Sequence, residues 1–168
     1  MKSSKFLALA GVTLLATGVL AACSGSGSGA KGEKTFSYIY ETDPDNLNYL
    51  TTGKAATANI TSNVVDGLLE NDRYGNFVPS MAEDWSVSKD GLTYTYTIRK
   101  DAKWYTSEGE EYAAVKAQDF VTGLKYAADK KSDGLYLVQE SIKGLDAYVK
   151  GEIKDFSQVG IKAVSYTH

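Results

Sequence analysis

The feature that most constrains the fold is a run of alternating residues behind an Asp-Gly pair. In residues 92–98 every second residue is a threonine, and the residues between are large and apolar or aromatic. Such alternation is typical of a β-strand with one packed face and one hydroxyl-bearing face. The pair Asp90-Gly91 before it, with Trp85 and Val87 upstream, predicts a two-residue hairpin turn with positive φ at Gly91. The sequence therefore predicts a mostly antiparallel sheet here.

Helical spacing of apolar residues occurs on both sides of this hairpin. It predicts amphipathic helices over 56–69, 117–130 and 135–150. Alternating residues predict two more strands, over 35–41 and from Val159 onward, and polar residues over 71–76 predict a turn. The predicted fold class is therefore α/β, in the sense of a mixed α+β domain.

The N-terminus has the pattern of an export signal. Lys2 and Lys5 precede an uncharged stretch over 6–20, which glycines and threonines interrupt. A membrane-spanning helix needs about 20 strongly apolar residues, so a signal peptide suits this stretch better. The stretch ends in Leu20-Ala21-Ala22-Cys23, which resembles the lipobox of bacterial lipoproteins. We predict a signal peptide over 1–22 and lipid attachment at Cys23; the alternative is a cysteine that ends a membrane anchor helix.

A linker follows the predicted lipid site. Residues 24–29 alternate Ser and Gly, a composition typical of flexible coil, and 23–34 form the predicted lipidated linker. Two or more acyl chains on one protein anchor it stably. The expected location is therefore the cell membrane, with the protein lipid-anchored on the extracytoplasmic face.

Composition removes several function classes. The chain has one Cys and one His, and the His is the last residue, His168. A histidine-based zinc site or a Ser-His-Asp triad therefore has no histidine inside the fold. The formal net charge of −3 argues against nucleic acid as a partner. We expect no catalytic activity, no cofactor and no metal.

The region 81–126 resembles the oligopeptide-binding proteins of ABC importers, the extracellular solute-binding protein family 5, and within it the streptococcal lipoproteins of the Ali and Ami type. The resemblance rests on Ala82-Glu83-Asp84-Trp85, on residues 90–96 and 98–100, on Ala102-Lys103-Trp104 and on 117–121. It implies a two-lobed periplasmic-binding-protein-like fold of type II with an extra small domain. Residues 35–168 would supply the start of the first lobe and much of the small domain, as an incomplete N-terminal portion.

The resemblance also implies a function and a ligand site. Such proteins capture an oligopeptide ligand and deliver it to the permease subunits of the transporter. The positions matching the strand end that pairs with the peptide are Glu41, Thr42 and Asp43. The alternative is that these are polar residues of a turn before Pro44. Family members that carry nickel, haem or sugars keep the ligand class open.

Other conspicuous side chains have simpler interpretations. Alternate tyrosines could line a binding groove, but alternate residues of a strand are expected to face the protein core; this applies to Tyr38, Tyr40, Tyr94 and Tyr96. Packing is likewise expected for Trp85 and Trp104. A solvated loop, rather than a calcium or acid/base site, is expected for Glu108, Glu110 and Glu111.

Three departures from the family pattern stand out. Lys116 replaces the usual threonine cap, which predicts a weaker helix start. Thr106-Ser107-Glu108 replaces the usual turn after Trp104 and leaves its shape open. The length of 168 residues suggests a truncated or partial product. The alternative function is therefore a surface lipoprotein remnant without transport activity, an antigen or adhesive coat component.

Overall fold

The computed structural model describes residues 37, 39 and 42–165. The predicted signal peptide, Cys23, its linker and Glu41 lie outside these residues, as does most of the predicted strand over 35–41. Helices and strands alternate irregularly along the described part, which confirms the mixed α+β class. The elements are α1 Ala55–Thr61, β1 Leu69–Asn71, β2 Phe77–Pro79, β3 Ala82–Val87, β4 Tyr94–Ile98, β5 Lys103–Tyr105, β6 Glu111–Ala114, α2 Ala117–Asp129 and α3 Leu145–Lys150.

The strands pair in sequence order. Among the described residues they form three two-stranded antiparallel sheets, β1-β2, β3-β4 and β5-β6. The turn between β1 and β2 confirms the prediction over 71–76, because the Asp72 carboxylate accepts hydrogen bonds from the backbone N–H groups of Tyr74 (2.8 Å) and Asn76 (3.0 Å).

The hairpin of β3 and β4 confirms the main sequence prediction, with Trp85 opposite Tyr96. Gly91 has a φ of 73°, as predicted. The prediction of a two-residue turn is wrong, however. Ser88 N–H donates to Thr93 C=O (2.9 Å), so the loop between these paired residues has four residues. Side chains support the longer loop: the Ser88 hydroxyl oxygen also accepts from Thr93 N–H (2.9 Å).

Burial along this hairpin decreases from its base to its tip. Ala82 and Ile98 at the base are buried, and Ala82 N–H donates to Leu68 C=O (2.9 Å). Tyr96 is half-buried. Tyr94, one step nearer the tip, is 58% exposed, so the prediction that it is a core residue is wrong. The base is tied to the chain before β1, whereas the tip extends beyond that contact.

The helix predicted over 56–69 is too long. Helix α1 ends at Thr61, and Leu69 already belongs to β1. Between them, Val64 is 79% exposed rather than packed on a helical face. Two β-branched valines followed by Asp66-Gly67 form a poor helical sequence, which explains the early end.

Helix α2 confirms the prediction over 117–130 and supplies one wall of the core. Its inner face packs Val121, Leu124 and Ala127 against the buried cluster. The cluster itself consists of Ala128, Leu135, Leu145, Phe156 and Val159.

The third predicted helix and the final strand are wrong. Residues 135–150 form a 3-10 turn, Leu135–Leu137, and then the short helix α3. Gly144 separates them with a φ of 75°, and a Cβ there would lie 3.1 Å from the backbone oxygen of Gln158. No strand forms over 159–164; Val159 is fully buried in the core, and Gly160 N–H donates to Lys143 C=O (2.7 Å).

Candidate functional site

Two of the three predicted ligand residues lie in the described part of the chain. Thr42 and Asp43 are exposed, and Pro44 after them is half-buried. They begin a segment of irregular backbone that leads into α1, residues 42–54, which we call the anchored loop. Glu41 lies outside the described residues.

Contacts within the N-terminal half of the molecule hold the anchored loop against α1. The buried hydroxyl of Thr57 donates to the backbone oxygen of Asn46 (2.8 Å). The Asn46 side-chain oxygen accepts from Asn48 N–H (2.9 Å), which closes a tight turn. Asp45 forms an ion pair with Lys54 at the other end of the loop. The hydrogen bond and charge of Asp45 raise the pKa of the Lys54 ammonium above its ordinary value.

Two further contacts tie the anchored loop to the region around the end of α2. Gly53 N–H donates to a carboxylate oxygen of Asp133 (2.5 Å). The Asn48 side-chain amide donates to the Tyr126 hydroxyl oxygen (3.2 Å). The backbone approach is close, because a Cβ on Gly53 would lie 3.3 Å from the Cα of Gly134. The loop is therefore held from both sides although it has no regular secondary structure.

A groove of about 1180 Å³ lies beside the anchored loop. The loop, the segment 64–68, β5 and α2 form its walls. Its apolar lining includes Leu50, Val65, Leu68, Met81, Phe120 and Leu124. Tyr49 also lines the groove, and partial burial raises the pKa of its phenol.

Asp119 connects two walls of this groove. One of its carboxylate oxygens accepts from the Trp104 indole N–H (2.9 Å) and from Lys116 N–H (3.0 Å). The carboxylate of Asp119, the third residue of the helix, thus satisfies the backbone N–H at the N-cap, while the weaker start expected from Lys116 stays a prediction. Trp104 is 38% exposed, so the prediction that it is a packed residue is wrong.

The acidic turn between β5 and β6 is solvated, as predicted, although Glu111 already belongs to β6. Glu108, Glu110 and Glu111 are all exposed. Glu111 pairs with Lys103 across the hairpin (2.5 Å), and the Ser107 hydroxyl bond lowers the pKa of Glu108. The loop is closed by Thr106 N–H donating to Glu110 C=O (2.9 Å).

Two kinds of site are absent from residues 42–165, namely sites built on cysteine or histidine and carboxylate clusters for a metal ion. This part of the sequence contains neither Cys nor His, and its acidic residues form no cluster that could hold a metal ion. None of its helices has the length and apolar character needed to cross a membrane. The anchored loop lies beside the groove, and its residues Thr42 and Asp43 are exposed.

The residues that hold the loop could not be predicted from the sequence. Thr57 was one position in a predicted helix, and Asp133 and Tyr126 lie about 80 residues from their partners. The dipeptide Asp133-Gly134 predicts a turn, but no spacing in the sequence links it to Gly53. Only the folded backbone brings them together.

Residues 76–165, more than half of the chain, match the family described as bacterial extracellular solute-binding proteins, family 5 Middle. Among curated proteins, the chain is 94% identical over 164 residues to the oligopeptide-binding protein AliA of Streptococcus pneumoniae serotype 4, covering 98% of this chain and 25% of that protein. It is 72% identical over 170 residues to the oligopeptide-binding protein SarA of Streptococcus gordonii, covering 98% and 26% respectively.

The fold is similar to solved oligopeptide-binding proteins. Superposition on the Haemophilus influenzae OppA complex with the peptide RPPGFSPFR gives a TM-score of 0.65 at 25% identity, covering 74% of this chain and 24% of that one. The chain thus spans about a quarter of the length of the proteins it matches.

Proposed function

The chain belongs to the bacterial extracellular solute-binding proteins of family 5, and from this we propose that it is part of the oligopeptide-capturing subunit of an ABC importer. The observation that carries the proposal is the 94% identity to a pneumococcal oligopeptide-binding protein across nearly the whole chain. The capture step requires no covalent chemistry, and binding with closure of two lobes around the ligand is the proposed mechanism.

The anchored loop suits the first contact with a peptide. Glu41, Thr42 and Asp43 would offer main-chain donors and acceptors to an extended ligand, and pairing of this kind is independent of the ligand's side chains. Thr42 and Asp43 are exposed, and the chain after them is held by hydrogen bonds on two sides. A contact surface that is already ordered loses less conformational entropy when the ligand binds.

The proposed location follows from the N-terminal pattern. Signal cleavage after residue 22 and lipid attachment at Cys23 would leave the protein lipid-anchored on the extracytoplasmic face of the cell membrane. From there the captured peptide would pass to the permease subunits of the transporter.

The test uses a joined protein, in which this chain is followed by the part of the pneumococcal relative that lies beyond the match; we call it the extended protein. Calorimetric titration with a mixed oligopeptide pool should give a Kd in the micromolar range or tighter. The 168-residue chain alone should bind weakly or not at all, because it offers a peptide only part of the enclosing surface. If the extended protein does not bind peptides of the pool, the proposed peptide capture is refuted.

A variant pair tests the main-chain contact. Thr42→Pro removes one backbone N–H donor, whereas Thr42→Ala removes only the side chain and serves as its control. Main-chain pairing predicts that the proline variant of the extended protein binds peptides about tenfold more weakly and that the alanine variant binds like the parent. Equal peptide affinities of the parent, the proline variant and the alanine variant would show that the Thr42 N–H does not pair with the peptide.

A further inference from the structure

Thr57 is an unusual residue for its place in α1. It is 1% exposed, whereas its neighbours Ala56 and Ala58 are half-buried and exposed, respectively. A buried hydroxyl is costly unless it is hydrogen-bonded. This one donates to the backbone oxygen of Asn46, eleven residues earlier (2.8 Å). The hydroxyl therefore connects the interior side of α1 with the anchored loop.

The stretch between this hydrogen bond and the proposed ligand contact is short and stiff. Asn46 lies three residues after Asp43, so the two are separated by at most about 10 Å of extended chain. Pro44, between them, has a restricted φ and is half-buried. Where Asn46 is held therefore limits where Thr42 and Asp43 can lie.

Other contacts of the loop are less able to fix that stretch. Asp45 and Lys54 are paired, but both side chains are more than half exposed, and exposed ion pairs contribute little. Asp133 holds Gly53, which is ten residues further along the chain than Asp43. Of these three contacts, the Thr57 bond combines burial with closeness to the proposed ligand contact.

We infer that Thr57 is a positioning residue for peptide capture, an inference that rests on the function proposed above. Its hydroxyl holds the Asn46 carbonyl and so keeps the chain at Thr42 and Asp43 in a conformation that can pair with a peptide. Thr57 acts through the backbone and does not itself touch the ligand.

Two substitutions in the extended protein test this role. Thr57→Val keeps nearly the same shape, removes the hydroxyl and leaves the Asn46 carbonyl without that donor. The Kd for the peptide pool should rise about fivefold to tenfold while each molecule still binds one peptide. Thr57→Ser restores a hydroxyl at the same position and should return the Kd to within about twofold of the parent.

Thr61 provides a matched control in the same helix. It is also buried, at 7% exposure, but its hydroxyl donates to the backbone oxygen of Thr57 inside the helix (3.0 Å) rather than to the loop. Thr61→Val therefore also removes a buried hydroxyl but leaves the hydrogen bonds of the loop in place, and it should leave the Kd unchanged. Amide hydrogen exchange gives a second readout in the 168-residue chain: the Asn48 N–H should exchange several-fold faster in Thr57→Val than in Thr61→Val.

The possible results are distinct. If a smaller fraction of Thr57→Val molecules binds peptide but the Kd is unchanged, the role of Thr57 is purely structural and the inference is overturned. An equal rise of the Kd in Thr61→Val, or unchanged exchange at Asn48, would also overturn it. If the unmutated extended protein does not bind peptide, the proposed function falls and the inference falls with it; if it binds and Thr57→Val binds equally well, the inference alone is overturned.

Discussion

Gly91 and Gly144 allow backbone strain to be separated from steric crowding. Both have positive φ, 73° and 75°, which residues with a Cβ rarely adopt. Their surroundings differ: an added Cβ at Gly91 meets nothing within 4 Å, whereas at Gly144 it would lie 3.1 Å from the Gln158 backbone oxygen and 3.6 Å from the Ile153 side chain. Alanine at either position therefore has the cost of left-handed backbone, and only Gly144→Ala adds the cost of steric crowding.

The expected magnitudes follow from this difference. Left-handed backbone costs an L-residue about 1–2 kcal/mol. The reduced entropy of the unfolded chain offsets about 0.4–1 kcal/mol of it. Gly91→Ala should thus lower the free energy of unfolding by about 1 kcal/mol. Crowding in a packed site adds about 1–3 kcal/mol for Gly144→Ala.

Urea unfolding of the 168-residue chain, followed by circular dichroism, measures both losses from the midpoints at a common m value. Gly91→Asn is the control for conformation, because asparagine tolerates left-handed backbone; it should cost less than Gly91→Ala. Equal losses for the two alanine variants would contradict the packing around Gly144. An unchanged midpoint for Gly91→Val would contradict the strained hairpin loop, because a β-branched residue should be worse there than alanine.

Three further predictions concern other parts of the chain. Cys23→Ala should release the protein from the membrane or leave it unprocessed, and mass spectrometry of the parent should show an acylated Cys23 as its first residue; an intact Met1 terminus would contradict this. Asp119→Ala removes the acceptor for both the Trp104 indole N–H and the Lys116 N–H at the helix start. The free energy of unfolding, measured from urea midpoints, should therefore fall by about 1–2 kcal/mol. Asp119→Asn keeps an acceptor oxygen and is the control. The bonds from Lys125 and Tyr148 lower the pKa of Asp129 below its ordinary 3.8, so its contribution to stability is present at neutral pH and is lost as pH falls through that lowered pKa. Asp129→Asn should therefore be less stable than the parent at pH 7 and closer to it in strong acid; the same difference at both pH values would contradict this reasoning.

Much of the local structure could be predicted because short-range rules decide it. Alternating threonines and the Asp-Gly pair indicated the β3-β4 hairpin and the positive φ of Gly91, and both are present. Helical spacing likewise indicated α2 to within one residue of its observed end. In each case neighbouring residues suffice, because a periodicity of two or of 3.6 places the apolar groups on one face.

The candidate site was less predictable. Thr42 and Asp43 were proposed from a family resemblance and stay a prediction. Nothing in the sequence indicated that Thr57 holds Asn46 or that Asp133 holds Gly53. Threonine in a helix and aspartate before a glycine are common, and their roles here depend on partners that the sequence does not bring near.

What the sequence alone determined is where the chain can turn and with what period its apolar residues recur. Tertiary structure decided which partners each apolar residue meets. Val159 has the alternation of a strand, yet it is fully buried beside Leu145 and Phe156, and the chain at 159–164 forms no strand. Tyr94 has the pattern of a core residue and is 58% exposed. The physical reason is that the hydrophobic effect favours burial but is not directional. Which apolar residues pack together therefore depends on the surfaces that the folded chain brings into contact.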